Sequence, residues 1–227
     1  MICNADVYLC PFIPSYSAPL ELCAENADPV NLEIVQAGDP VLRQRARTLT
    51  PAEISSKEVR KLIESMRACM WEAPGVGLAA PQIGLSLQLA VIEDREEYQK
   101  DVPDEQLRER ERVPVPFHAI INPRIKELSA EKVEFFEGCL SVAGFTGLVP
   151  RSRKIRVECL DERGKKKVIE ASGWYARILQ HEIDHLQGSL YIDRMRTRSF
   201  SSLENWTQFW KGKPVSEIRE SLRIERE

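Results

Sequence analysis

Two of the chain's three histidines stand four residues apart in His181-Glu182-Ile183-Asp184-His185. On a helix that spacing puts both imidazoles on one face, one turn apart, where they can reach a single metal ion. A glutamate beside the first histidine can then take a proton from a water that the ion activates, which is metallohydrolase chemistry. Such a catalytic site needs a third protein ligand and an open position for water. Tyr191 stands where a third histidine would follow Gly188 in one known pattern, which excludes that pattern. Glu204 downstream and Cys139 upstream, in Glu137-Gly138-Cys139-Leu140-Ser141, both stay open as the third ligand. His118 lies in a proline-flanked segment with no liganding partner at helical spacing, so it is not expected to bind the metal.

The pair must ride on a helix, and the residues around it supply one. Ser172 is a good N-cap, Gly188 a good end, and Ile178, Leu179, Ile183 and Leu186 recur at inward spacing. A first amphipathic helix is expected over 51–72, where Val59, Leu62, Ile63, Met66 and Met70 repeat at three- and four-residue steps. Ala73-Pro74-Gly75 ends it, and a small-residue stretch leads into a β-like run over 87–92. Further strands are predicted at 119–121, 132–136, 154–160 and 166–170, the last two joined by the turn Asp161-Glu162-Arg163-Gly164. The charge-rich segment 93–112 reads as an exposed loop or a solvated helix. Strands mixed with two separated helices indicate an α+β domain.

The bulk numbers exclude several classes. The chain has 227 residues, 43% hydrophobic and 30% charged, which suits one domain with a real core. A formal net charge of −3 gives no global field for a polyanion, so sequence-specific nucleic-acid binding is not expected. No apolar run has the length of a membrane span. The six cysteines, at positions 3, 10, 23, 69, 139 and 159, share no repeated spacing and read as reduced thiols of an intracellular protein. Residues 1–30 read as a mobile arm without Lys or Arg, unlike a transit peptide. Domain boundaries follow as an arm over 1–30, a catalytic domain over 31–200 and a C-terminal extension over 201–227.

Three segments in order, Gly75-Val76-Gly77-Leu78-Ala79-Ala80-Pro81-Gln82, then Glu137 to Ser141, then His181 to His185, resemble the three motifs of peptide deformylase. The resemblance spans roughly 34–200 and includes Gly38-Asp39-Pro40-Val41-Leu42. It implies the family fold, antiparallel sheets packed around the central HExxH-bearing helix, and hydrolysis of the formyl group from N-formyl-methionyl nascent polypeptides near the ribosome exit. It also implies Cys139, His181 and His185 as metal ligands and Glu182 as general acid and base. Gln82 and the Leu140 N–H would form an oxyanion hole, and Gly77 would hydrogen-bond the substrate peptide. Helical spacing back from His181 nominates Trp174, Arg177 and Ile178 as neighbours of the methionine pocket, with Val76 a further candidate. The alternative is an HExxH metallopeptidase using Glu204. One thiolate and two imidazoles suit Zn²⁺, Ni²⁺, Co²⁺ or Fe²⁺. The family habit implies Fe²⁺ as the native ion, with the others in purified protein. Ala143, where many bacterial members carry Pro, and the segments 141–145 and 171–174 resemble the organellar branch of eukaryotes, implying a mitochondrion or plastid.

Overall fold

The structure is a computed structural model that describes residues 32–225. The arm read over 1–30, with Cys3, Cys10 and Cys23, lies outside the described residues. In chain order the elements are α1 (Pro51–Ile54), α2 (Lys57–Glu72), β1 (Gly77–Ala79), β2 (Leu89–Asp94), α3 (Asp104–Glu109), β3 (Val115–Leu128), β4 (Lys132–Cys139), β5 (Val142–Ser152), β6 (Lys154–Leu160), β7 (Lys166–Ser172), α4 (Gly173–Leu186), β8 (Ser201–Ser202), α5 (Leu203–Phe209) and α6 (Val215–Ser221). Short 3₁₀ turns link several of them, including Ala80–Ile83 after β1.

The single helix expected over 51–72 is two helices. Thr50 caps α1 in a reciprocal box with Glu53, and Ser56 then takes an extended backbone and caps α2 by accepting from the Val59 N–H. Two capping residues in succession restart the helix, and the apolar period named in the sequence begins only at Val59, after the break.

Among the described residues, eight strands form two antiparallel sheets, one of five strands in the order β1-β2-β3-β6-β7 and one of three in the order β4-β5-β8. Alternate residues of the large sheet serve two cores. Ala90, Ile92 and Ile120 face α4, and Leu89, Val91, Ala119 and Ile121 face α2. With both faces covered, these strands read as continuous apolar runs. The same masking hid β5 from the sequence reading, because Thr146, Gly147, Leu148 and Val149 are buried without alternation. The predicted turn between β6 and β7 is present, with Asp161 Oδ1 accepting from the N–H groups of Arg163 and Lys165.

α4 lies at the centre. All of its fourteen residues except Tyr175 are buried, so the amphipathic pattern expected of it gives way to burial on every side. Such a helix is stable only if its polar side chains find partners.

The charged segment 93–112 is less solvated than expected. α3 itself buries nothing, but the segment's ends are joined by a buried ion pair in which Arg112 donates to both Asp94 oxygens at 2.8 Å. The guanidinium carbons of Arg110 and Arg112 lie 5.3 and 5.4 Å from the Trp174 ring centroid. Gly173 starts α4 with φ 58°, and a Cβ there would fall 2.7 Å from the Arg110 carbonyl oxygen, so the segment closes tightly on the helix start. After α4 the chain returns to the small sheet. β8 pairs with β5, Trp206 packs on Phe136, and Arg196 and Arg219 share Glu134 of β4.

Candidate metal centre

Cys139 ends β4 and His181 and His185 lie on the buried interior of α4. Each offers one ligand atom, and these atoms all lie within 4.8 Å of one another, the one such metal-competent group among the described residues. The two rings stand 4.9 Å apart, and His185 Nε2 is 3.2 Å from Cys139 Sγ. Burial lowers the pKa of both histidines, most of all His185, and keeps them neutral as ligation requires.

Glu137 sets the tautomer of His181. His181 Nδ1 lies 3.0 Å from Glu137 Oε2, and an ionised carboxylate only accepts, so Nδ1 carries the hydrogen and Nε2 keeps its lone pair for a metal. Burial alone would raise the Glu137 carboxyl, yet Arg151, the His181 N–H and Arg177 together hold it well below the usual carboxylate range. Arg151 donates to both Glu137 oxygens at 2.9 Å, Arg177 adds a bond of 2.6 Å, and Arg151 continues to Asp184, which Arg194 also grips. Four buried charges thus neutralise one another around the second face of α4.

Glu182 has no such support. It is buried, its Oε2 has no hydrogen-bond partner among the described residues, and burial pushes its carboxyl up to about 8. Its side chain lies directly over Gly77. A Cβ added to Gly77 would sit 2.2 Å from Glu182 Oε1 and 2.9 Å from its Cγ, so only glycine leaves room. The glycine that the motif suggested as a backbone contact for substrate is therefore also the floor beneath the glutamate.

Gln82 occupies the 3₁₀ turn after β1 and is oriented by its own chain. The Ala79 N–H donates to Gln82 Oε1 at 2.9 Å, which turns Nε2 toward Cys139 Sγ and Ser141 Oγ, both at 3.4 Å. Leu140 follows Cys139 in the tight turn between β4 and β5. Val76, Trp174 and Ile178 share one buried apolar cluster. Arg177 is committed elsewhere: its guanidinium donates to Glu137, the Val149 carbonyl and the Val133 carbonyl, so it holds the ligand anchor.

Glu204 must be set aside as a ligand, for it is exposed on the first turn of α5 and outside the cluster. His118 likewise stands apart, its Nδ1 against the Pro116 carbonyl and its Nε2 against the Tyr175 hydroxyl. Arg151 escaped the sequence reading because it sits in the strand that went unrecognised. Tyr191, noted only for not being histidine, is buried with its ring stacked 6.4 Å from that of His181.

The residues fit a divalent ion. Two imidazoles and a thiol converge in a buried site with an unpartnered carboxyl oxygen beside them, and three such donors would leave a further coordination position open.

Residues 31–201 match the family model for polypeptide deformylase. Peptide deformylase 1A, chloroplastic/mitochondrial, of Arabidopsis thaliana is 49% identical over 76% of this chain, which spans 64% of that relative's length, less than two thirds. Peptide deformylase 1 of Bifidobacterium longum is 47% identical over 84% of this chain and 85% of its own. The Met-Ala-Ser-bound crystal structure of class I type b peptide deformylase from Acinetobacter baumannii superposes with a TM-score of 0.66 at 30% identity, covering 74% of this chain and all of that one. With the helix-borne His181 and His185, Cys139 and the Gly77–Gln82 wall in this arrangement, the chain belongs to the polypeptide deformylase family.

Proposed function

We propose that the chain hydrolyses the formyl group from N-formyl-methionyl polypeptides, releasing formate and a free N-terminal amine. The observation that carries this reading is the Glu182 carboxyl, one oxygen unpartnered, seated on Gly77 beside the Cys139, His181 and His185 donors. When bound to those three residues, a divalent ion supplies Lewis acidity, polarising a carbonyl and lowering the pKa of a water. Glu182 takes the proton of the attacking water and returns it to the leaving amine nitrogen. Burial raises this carboxyl above the usual carboxylate range, which strengthens its hold on a transferred proton. Gln82 Nε2 and the Leu140 N–H donate to the oxygen of the former carbonyl as it gains charge. The apolar cluster of Val76, Trp174 and Ile178 lines the way for a methionine side chain.

The Met-Ala-Ser peptide of the Acinetobacter structure supports a methionine-led substrate. Formate release from formyl-Met-Ala-Ser by metal-loaded protein, against acetyl-Met-Ala-Ser, tests the reading. Turnover of the formyl peptide alone is expected. Equal turnover of both, or of neither across Fe²⁺, Zn²⁺, Ni²⁺ and Co²⁺, overturns it.

Fe²⁺ is the native ion in this reading. Zn²⁺ stands above it in the affinity order, so protein purified in air is expected to carry zinc, and protein loaded with Fe²⁺ without oxygen to be faster and to decay in air as iron and thiolate oxidise. A zinc form as fast as the anaerobic iron form contradicts this. The substrate emerges at the ribosome exit, and the plant relative's chloroplastic/mitochondrial name supports an organellar site of action. A full-length fluorescent fusion that stays in the cytosol would overturn the latter.

A further inference from the structure

The two oxyanion donors belong to separate chain segments, Gln82 to the turn after β1 and Leu140 to the turn after β4. An irregular stretch over 34–37 crosses both. The Val35 N–H donates to the Gln82 carbonyl at 2.9 Å, and the Ala37 N–H to the Ser141 carbonyl at 2.7 Å. Between them Gln36 uses both ends of its amide on the second segment. Its Nε2 donates to the Leu140 carbonyl at 2.9 Å and to the Ile34 carbonyl at 3.3 Å, and its Oε1 accepts from the Ala143 N–H at 3.2 Å. An exposed glutamine has no need of this geometry for burial, yet it brackets the turn that follows the cysteine ligand.

We propose that Gln36 is a positioning residue for deformylation, fixing the Leu140 turn against the segment that carries Gln82 so that both donors meet one oxygen. The inference rests on the reading of Gln82 and Leu140 as oxyanion donors. The carbonyl and the N–H of Leu140 belong to successive planar peptide groups that share one α-carbon. With the carbonyl held, the direction of the N–H has only two dihedrals of freedom. Cys139 is held independently by β4, so loosening Gln36 should misdirect the N–H and leave the thiol in place. A misplacement on the order of 1 Å lowers rate by up to about 10²-fold.

The test uses Gln36→Met, which keeps length and loses all three side-chain hydrogen bonds, and Gln36→Glu, which keeps the acceptor and sets a carboxylate against the Leu140 carbonyl. Both should lower kcat on formyl-Met-Ala-Ser about 10-fold with KM within about 2-fold, the signature of an interaction made in the transition state. The thiolate-to-metal absorption of the Co²⁺-loaded protein, which reports Cys139, should match wild type. Unchanged kcat, a raised KM with kcat kept, or loss of the cobalt band together with activity would each overturn the proposal. A wild-type protein that releases no formate under the same conditions refutes the function itself, which the control makes distinguishable.

Discussion

The two walls of the metal centre are built on opposite principles. On the β4–β5 side of α4, Glu137, Arg151, Arg177, Asp184 and His181 are buried and each charge faces an opposite one, so this wall is saturated in charge even though Arg177 Nε makes no hydrogen bond. On the β1 side, Glu182 is equally buried and one of its oxygens has none among the described residues. The saturated wall orients a ligand and holds its protonation state, whereas the unsaturated wall leaves a carboxylate whose affinity for a proton burial has raised. In the proposed reading, paired charge serves metal binding and the unpaired carboxyl serves proton transfer.

Substitutions on each wall should therefore fail differently. Gly77→Ala acts on the unsaturated wall: its Cβ must displace the Glu182 carboxylate, and kcat should fall by about 10²-fold while metal content stays near one per chain. Near-normal kcat would mean the glutamate is not held where its chemistry requires. Glu137→Gln acts on the saturated wall and should show the reverse order of effects. Metal affinity falls by about 10- to 100-fold, because His181 loses its anionic acceptor. The melting temperature also drops, because Arg151 and Arg177 are left without their shared partner. Metal titration with unchanged affinity would break the comparison. Glu204→Gln, distant from both walls, should alter neither metal content nor turnover. A lost metal equivalent would restore that residue as a ligand.

How much of this was legible depends on how local the physics is. His181, Glu182 and His185 could be read because a metal pair on a helix needs four-residue spacing, and Ser172 and Gly188 bracket that helix in the sequence itself. Cys139 and Gln82 were placed near one another only through the motifs of a family, since nothing beside either residue in the sequence links it to the histidine pair. The Glu137–Arg151–Asp184 chain was not legible, for its members join strands and helix from positions 137, 151 and 184 and each looks alone like a surface charge. The Arg112–Asp94 pair hid in the same way inside a charged segment. The restart at Ser56 was missed because the apolar period begins only at Val59, and capping is decided by backbone conformation that periodicity does not record. The Gly77 motif was visible, but its contact with Glu182, more than a hundred residues on, required the fold.

The most direct test of the central claim measures metal stoichiometry and formate release on one sample of Glu182→Gln. The amide preserves shape and cannot accept the proton of water. Metal content should equal that of wild type while kcat falls by about 10²- to 10⁴-fold. Turnover within severalfold of wild type, at full metal occupancy, would remove Glu182 from proton transfer and contradict the division between the wall that holds and the wall that reacts.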